Sequence, residues 1–194
     1  ILKLDPQNLA LRHQHAQVLE ALGDIEAAIA EYRQTARGYA DAQRIEPALE
    51  ILRHLLSLDP ERIDERELYA KLLRRDGQVE ACIQQYLLLL ETIGDEEDPR
   101  RAIKYCRQIL EENANHPQAH QHLCAIYERT EKWRQAVKEC EWLADYYLAR
   151  GDRPAAESHM RRALTWLPDE LSMRTRLVDL LIEEGRMAEA ADQL

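Results

Sequence analysis

Several residue types and patterns that mark common protein classes are scarce in this 194-residue chain. It has no Phe, six Gly and four Cys, and no two Cys have the two-residue spacing of a redox motif or a zinc ribbon. The longest aliphatic run, residues 87–90, is far shorter than the roughly 18 residues that a membrane span needs. A glycine-rich phosphate loop and a basic leader with an apolar core are also absent. These absences favour long helices and exclude several classes of enzyme and membrane protein.

The chain is acidic, with a formal net charge of −10 at pH 7. A nucleic-acid-binding protein usually carries a basic face, because Lys and Arg must displace counterions from phosphate. We therefore expect no nucleic-acid partner. The Cys residues stand singly in positions where small core residues recur, and free thiols suit a reducing compartment, so we expect a cytoplasmic protein.

The main feature of the sequence is a gapless internal repeat of 54 residues. Pro6, Pro60 and Pro168 lie at multiples of this period, and Ala114 takes the same position between the last two. The repeats run over 7–60, 61–114 and 115–168, with a partial repeat over 169–194. The aligned columns include Gly23, Gly77, Glu131 and Gly185, then Ala28, Cys82, Ala136 and Ala190, then Ala48, Ala102 and Ala156. Such recurrence indicates stacked helical units that bury their apolar faces against each other.

Each repeat is predicted to hold three helices, separated by glycine-containing turns and ending near a proline. Apolar residues within each segment follow helical spacing, so each helix has one stripe to bury. The predicted helices cover 9–22, 25–42, 46–58, 63–75, 78–93, 99–112, 117–129, 132–149, 153–166 and 171–184, and an eleventh starts at 187. The short turns predict antiparallel neighbours in an all-α fold.

Two stretches of the third repeat resemble the tetratricopeptide repeat, a pair of antiparallel helices with an aromatic, Leu, small residue and Tyr on the first helix. The first stretch contains His120, Leu123, Cys124 and Tyr127, followed by Trp133, Ala136, Cys140 and Leu143. The second contains Cys140, Leu143, Ala144 and Tyr147, followed by Ala156, Met160, Ala163 and Pro168. The resemblance implies a right-handed α-solenoid of antiparallel helices, a tetratricopeptide-like superhelix, over residues 1–194 as a single repeat array.

The two stretches share the helix predicted over 132–149, which closes one family unit and opens the next. A family unit of 34 residues plus one further helix and turn of 20 gives the 54-residue period. Because this arrangement departs from the family pattern, the sequence leaves open which helix face is concave.

The resemblance also implies a groove, lined by the first helices, that binds a peptide, a helix or a partner protein. On this analogy its partner-binding residues are His13, Gln17, Glu20, Glu67, Lys71, Arg74, Gln121, Glu128, Thr175 and Asp179. Some family members hold the C-terminal carboxylate of chaperones with a Lys, Asn and Arg set. The residues here do not reproduce that set, so chaperone-tail binding is disfavoured.

The third repeat differs most from the others in composition, because it alone has a positive net charge and holds all three Trp residues. Trp133 falls in a packing column. Trp142 and Trp166 lie outside the main columns and are candidate aromatic anchors for a partner, although core packing is the more ordinary interpretation.

The acidic residues 95–98 are expected to lie between two helices, where carboxylates cap the helix that begins at Pro99. They lack the spacing of a calcium loop. His116 and His120 are four residues apart but are expected to supply at most two metal ligands, and nothing activates a nucleophile at Cys82 or Ser158. We expect no metal, no cofactor and no catalytic residues.

The leading hypothesis is a non-enzymatic protein-protein interaction scaffold. The alternative is a regulatory or substrate-recruiting segment of a larger enzyme whose catalytic domain lies outside this chain. The first six residues resemble the tail of a helix and the last repeat is incomplete, so we expect a fragment of a longer chain, with self-association through its uncapped ends as a third hypothesis.

Overall fold

The computed structural model describes residues 8–193, apart from the side chains of residues 94–97, and within that part all regular structure is helical. The helices are α1 Leu9–Ala21, α2 Ile25–Asp41, α3 Ile45–Leu58, α4 Ile63–Arg75, α5 Val79–Glu97, α6 Pro99–Glu112, α7 Pro117–Arg129, α8 Trp133–Leu148, α9 Arg153–Trp166, α10 Leu171–Glu183 and α11 Met187–Ala191. The predicted all-α class and the ten helices with the start of an eleventh are confirmed. Pro6 and the other residues of the helix-like opening lie outside the described residues.

The helix starts follow the period of the sequence. The first helices of the repeats, α1, α4, α7 and α10, begin at residues 9, 63, 117 and 171, each 54 residues after the one before. The second and third helices are spaced in the same way. Helix positions therefore recur at the interval at which the residue columns recur.

Side-chain caps mark several of the helix starts. Asp24, Asp98 and Asp152 each accept a hydrogen bond from the backbone N–H three residues on, at 3.0–3.2 Å. This satisfies one of the donors that every helix start leaves unpaired. Pro99 and Pro154 lie in the first turns of α6 and α9, where a missing N–H costs nothing.

Two turn positions adopt the left-handed conformation with a non-glycine residue. The turn column of Gly23, Gly77 and Gly185 has positive φ throughout, and Glu131, its member in the third repeat, keeps φ at 54°. Gln43 has φ of 59°. A side chain in this region costs energy that glycine avoids, so the fold imposes the turn even where the sequence lacks the preferred residue.

The acidic run is placed differently from the prediction. Helix α5 continues to Glu97, four residues beyond its predicted end, so residues 95–97 belong to a helix and not to a linker. Asp98 alone takes the predicted capping position, and its carboxylate accepts from the backbone N–H of Arg101 at 3.0 Å.

The chain divides into two compact units, unit 1 up to Ile93 and unit 2 from Gly94. In unit 1, α1 packs on α2, α2 on α3 and α3 on α4. Its interior includes Tyr32, Leu52, Leu55 and Leu72, which are almost fully enclosed. Burial of these side chains, worth about 1.5–3 kcal/mol each, holds the helices together.

Unit 2 has the same sequential arrangement, with α6 on α7, α7 on α8, α8 on α9, α9 on α10 and α10 on α11. Its core contains Leu143, Met160 and Leu177, each completely enclosed. Small residues such as Ala144 and Ala156 lie between them and let neighbouring helix backbones approach closely.

A polar column runs through the first helices, at positions 12, 66, 120 and 174. Each of Arg12, Arg66 and His120 contacts a side chain 19 residues later on the second helix, at 2.6–3.2 Å. Arg66, His120 and Arg174 also contact the backbone carbonyl oxygen six residues earlier. The column ties α4, α7 and α10 to the turns before them.

Candidate partner-binding surfaces

The residues predicted to line a groove differ in exposure. Gln17, Lys71, Arg74, Gln121, Thr175 and Asp179 are exposed, whereas His13, Glu20 and Glu128 are half-buried. Glu67 is only 8% exposed, and its carboxylate pairs with the ammonium of Lys71 at 2.7 Å. The predicted set therefore contains side chains that face solvent and side chains that are engaged within the fold.

Glu20 joins the three helices of the first repeat. Its carboxylate on α1 accepts from the Tyr32 hydroxyl on α2 at 2.7 Å and contacts Nε2 of His54 on α3 at 2.8 Å. The hydrogen bond with His54, and then the one from Tyr32, lower the pKa of Glu20. The geometry gives Glu20 a bracing contact in addition to any contact with a partner.

Glu128 occupies the equivalent position in the third repeat and makes the equivalent contact. Its carboxylate on α7 forms an ion pair with Arg162 on α9, and both this pair and Glu20–His54 join residues 34 apart. Gln121 is also engaged, since its amide donates to the Tyr147 hydroxyl at 2.8 Å. Exposed side chains such as Thr175 and Asp179 are better placed for a partner.

An aromatic ladder in unit 2 is formed by His120, Trp142, Tyr146, Tyr147 and His159. The rings of His120 and Trp142 stack with centroids 3.6 Å apart, and those of Trp142 and Tyr146 with centroids 5.2 Å apart. Tyr146 meets Tyr147 edge-on, and Tyr147 stacks on His159 at 5.5 Å. The ladder connects the polar column to the surface of α8.

Trp142 and Trp166, the two predicted aromatic anchors, have different surroundings. Both are half-buried. Trp166 stacks on Trp133 with centroids 6.0 Å apart, and the guanidinium of Arg162 lies over its ring at 5.3 Å. Trp142 instead lines an open pocket of about 320 Å³ together with Asn115, Asp145, Tyr146, Ala149 and Arg150. Trp142 therefore lies beside space that a partner can fill.

The structure also brings together two thiols that sequence spacing did not connect. Cys124 and Cys140 lie on neighbouring helices with sulfur atoms 3.3 Å apart, and both are fully buried. The hydrogen bond between them, and then the burial, raise the pKa of Cys140. Within the described part of the chain, no three His, Cys, Asp or Glu side chains converge to hold a metal ion.

The stability of unit 2 is expected to fall when the pH drops below about 6.5, because burial and then the nearby Arg162 lower the pKa of His159 from its ordinary value of 6.5. In this window the unfolded chain binds a proton that folded His159 does not, so acid favours unfolding. Urea unfolding of unit 2 can be monitored by amide hydrogen exchange at several pH values between 7.5 and 5. The free energy of unfolding should fall more steeply with decreasing pH for the wild type than for His159→Gln. Equal slopes would contradict this assignment.

Comparison with known proteins agrees with the helical arrangement. Residues 9–35, which span α1 and part of α2, match the family model of the tetratricopeptide repeat. This segment of the chain is therefore similar to a tetratricopeptide repeat. These repeats are generally protein-protein interaction modules and are generally found in proteins that are not enzymes. The 54-residue grouping of three helices stays our interpretation of the register.

A relative and two solved structures illustrate the similarity. A TPR repeat-containing protein of Treponema pallidum (strain Nichols) is 27% identical over 230 residues, which cover 96% of this chain and 28% of the relative. The chain thus spans just over a quarter of that relative's length. The structure of Pseudomonas aeruginosa pilF has a TM-score of 0.41 and 20% identity, covering 88% of this chain and 75% of its own. A chain of Naa15/Naa10 bound to HypK-THB has a TM-score of 0.46 and 18% identity, covering 100% of this chain and 32% of its own.

In the part of the chain that the structure describes, no helix is both long enough and apolar enough to cross a bilayer.

Proposed function

We propose that this tetratricopeptide array is a non-enzymatic scaffold that binds a protein partner through side chains on its first helices. The observation that carries the proposal is the way these helices present polar residues over a packed interior. On α4, Lys71 and Arg74 are exposed while the intervening Leu72 and Leu73 are buried. Because the buried pair fixes the helix, the exposed pair is held in a defined position for a partner.

The ten predicted groove residues contribute unequally to this proposed surface. Lys71, whose ammonium also pairs with Glu67, and Arg74 place two basic side chains at exposed positions of α4, and Thr175 and Asp179 offer exposed polar groups on α10. A protein or peptide partner with acidic side chains would complement the α4 face. Residues such as Glu20, which contacts Tyr32 and His54, hold neighbouring helices together next to this surface.

The double charge reversal Lys71→Glu and Arg74→Glu is expected to reduce capture of the partner by about tenfold, since each reversed charge replaces an attraction by a repulsion. The measurement is a crosslinking pulldown from lysate of the source cells, quantified by mass spectrometry. Circular dichroism would verify that helix content is unchanged.

The matched control is Arg134→Glu with Lys138→Glu, a double reversal at exposed positions of α8. If both doubly reversed proteins capture the partner as the wild type does, α4 is not the binding face. If no protein is retained by any form of the chain, the scaffold proposal itself fails.

A further inference from the structure

The pocket beside Trp142 is a departure from the repeat, and packing does not require it. One repeat earlier, the positions of Trp142 and Tyr146 hold Leu88 and Thr92, and two repeats earlier they hold Gln34 and Gly38. In the first repeat the space is filled, because a Cβ built on Gly38 would lie 2.4 Å from a methyl carbon of Leu9. The same helices therefore pack in other ways when the aromatic pair is absent.

The two charged side chains that line the pocket, Asp145 and Arg150, differ in whether they form an ion pair. The Asp145 carboxylate forms an ion pair with Arg176 on α10. The Arg150 guanidinium lies 3.5 Å over the ring of Tyr146 and donates to the carbonyl oxygen of the same residue at 3.3 Å. Among residues 8–193, leaving aside the side chains of 94–97, no carboxylate pairs with Arg150. The pocket thus offers aromatic surface beside a cation without an anionic partner.

From this arrangement we infer that the pocket anchors an acidic peptide segment of the partner, with one aromatic side chain adjacent to a carboxylate. The aromatic side chain packs against Trp142 and Tyr146, and the carboxylate pairs with Arg150. A volume of about 320 Å³ suits a single side chain better than a folded surface. This inference rests on the proposed scaffold function, because it names the chemistry of the partner.

The recognition has two separable parts. The faces of Trp142 and Tyr146 are covered by His120, by each other and by Arg150, so a partner's aromatic ring packs against their edges, where it gains apolar contact area and an edge-to-face geometry. The carboxylate gains a charge-assisted hydrogen bond from a guanidinium already held in position by Tyr146. The ring supplies most of the affinity, and the carboxylate selects acidic over neutral sequences and makes binding sensitive to salt.

The test uses short synthetic peptides and the whole chain. The probe is acetyl-Glu-Glu-Trp-Glu-Glu-amide, and the comparison peptides replace Trp by Ala, all Glu by Gln, or all Glu by Lys. Isothermal titration calorimetry at low salt is expected to show about tenfold weaker binding for the Ala peptide and about fivefold weaker binding for the Gln peptide. The Lys peptide is expected to bind most weakly.

Variants of the chain complete the test. Arg150→Gln removes the cation at an exposed position and should abolish the preference for the Glu peptide over the Gln peptide, while Arg150→Glu should shift the preference to the Lys peptide. Trp142→Ala should weaken all peptides, and Arg134→Gln, an exposed change near the start of α8, should change nothing. Circular dichroism of each variant confirms folding.

Several results would overturn the inference. Equal affinity for the Glu and Gln peptides, or a Glu preference that survives in Arg150→Gln, removes the role of the cation. Preference of the wild type for the Lys peptide assigns the pocket to a basic partner through Asp145. Dimers that dissociate in Trp142→Ala, measured by sedimentation equilibrium, assign it to a second copy. A lysate partner that still binds Arg150→Glu and Trp142→Ala overturns the pocket inference and leaves the scaffold proposal intact.

Discussion

Replacing Leu72 by Ala is expected to destabilise unit 1 by about 3 kcal/mol, whereas Val18→Ala at the equivalent position of α1 is expected to change its stability by less than about 0.5 kcal/mol. The two positions share one column, 54 residues apart. Leu72 is 1% exposed and Val18 is 55% exposed. Truncation at Leu72 leaves a cavity in the packed interior, while truncation at Val18 removes methyl groups that already face solvent.

Amide hydrogen exchange as a function of urea would measure the two effects, because it reports the stability of each helix separately. Protection in α3 and α4 should fall in Leu72→Ala and stay unchanged in Val18→Ala. Similar losses in both variants would show that the Val18 face of α1 is covered in solution.

Removal of the guanidinium of Arg66 is expected to cost about 2 kcal/mol in the stability of unit 1, because two partly buried hydrogen bonds from a charged donor are lost. The side chain is 8% exposed and donates to the Pro60 carbonyl oxygen at 2.5 Å and to Gln85 at 2.9 Å. Desolvation by burial lowers the pKa of Arg66, which agrees with a guanidinium that is largely enclosed and depends on its hydrogen bonds. Arg66→Ala in urea unfolding would show the loss.

Two further variants separate the causes. Arg66→Met keeps the packing of the aliphatic stem, so its stability should lie between those of the wild type and Arg66→Ala. Arg75→Ala, at an exposed position of the same helix, should stay within about 0.5 kcal/mol of the wild type. If Arg66→Met is as stable as the wild type, the hydrogen bonds only offset the cost of burying the charge.

Much of the fold could be predicted because helix signals are local. The glycine turns, first-turn prolines and apolar stripes place most helix ends within one residue of their observed positions. The end of α5 was misplaced because Gly94 is typical of a helix stop, whereas the helix continues through it to Glu97. Arg12, Arg66 and His120 were also missed as a structural column, because polar side chains in a helix read as exposed until the partner helix is known.

The candidate site was less accessible to sequence reasoning. Spacing placed Glu20 and Glu128 on a helix surface, but their contacts with His54 and Arg162 depend on the packing of a helix 34 residues away. Trp142 was recognisable as unusual because it departs from its column. Its pocket depends on how Tyr146 and Arg150 are arranged in three dimensions.

The confinement of Trp133, Trp142 and Trp166 to unit 2 gives the molecule a built-in optical probe. Unit 1 contains no Trp, so the intrinsic emission excited at the indole band reports on unit 2 alone, while the far-ultraviolet helix signal reports on both units. The two signals coincide during denaturation only if the units unfold together. A single unlabelled sample can therefore tell whether this array behaves as one cooperative body or as two.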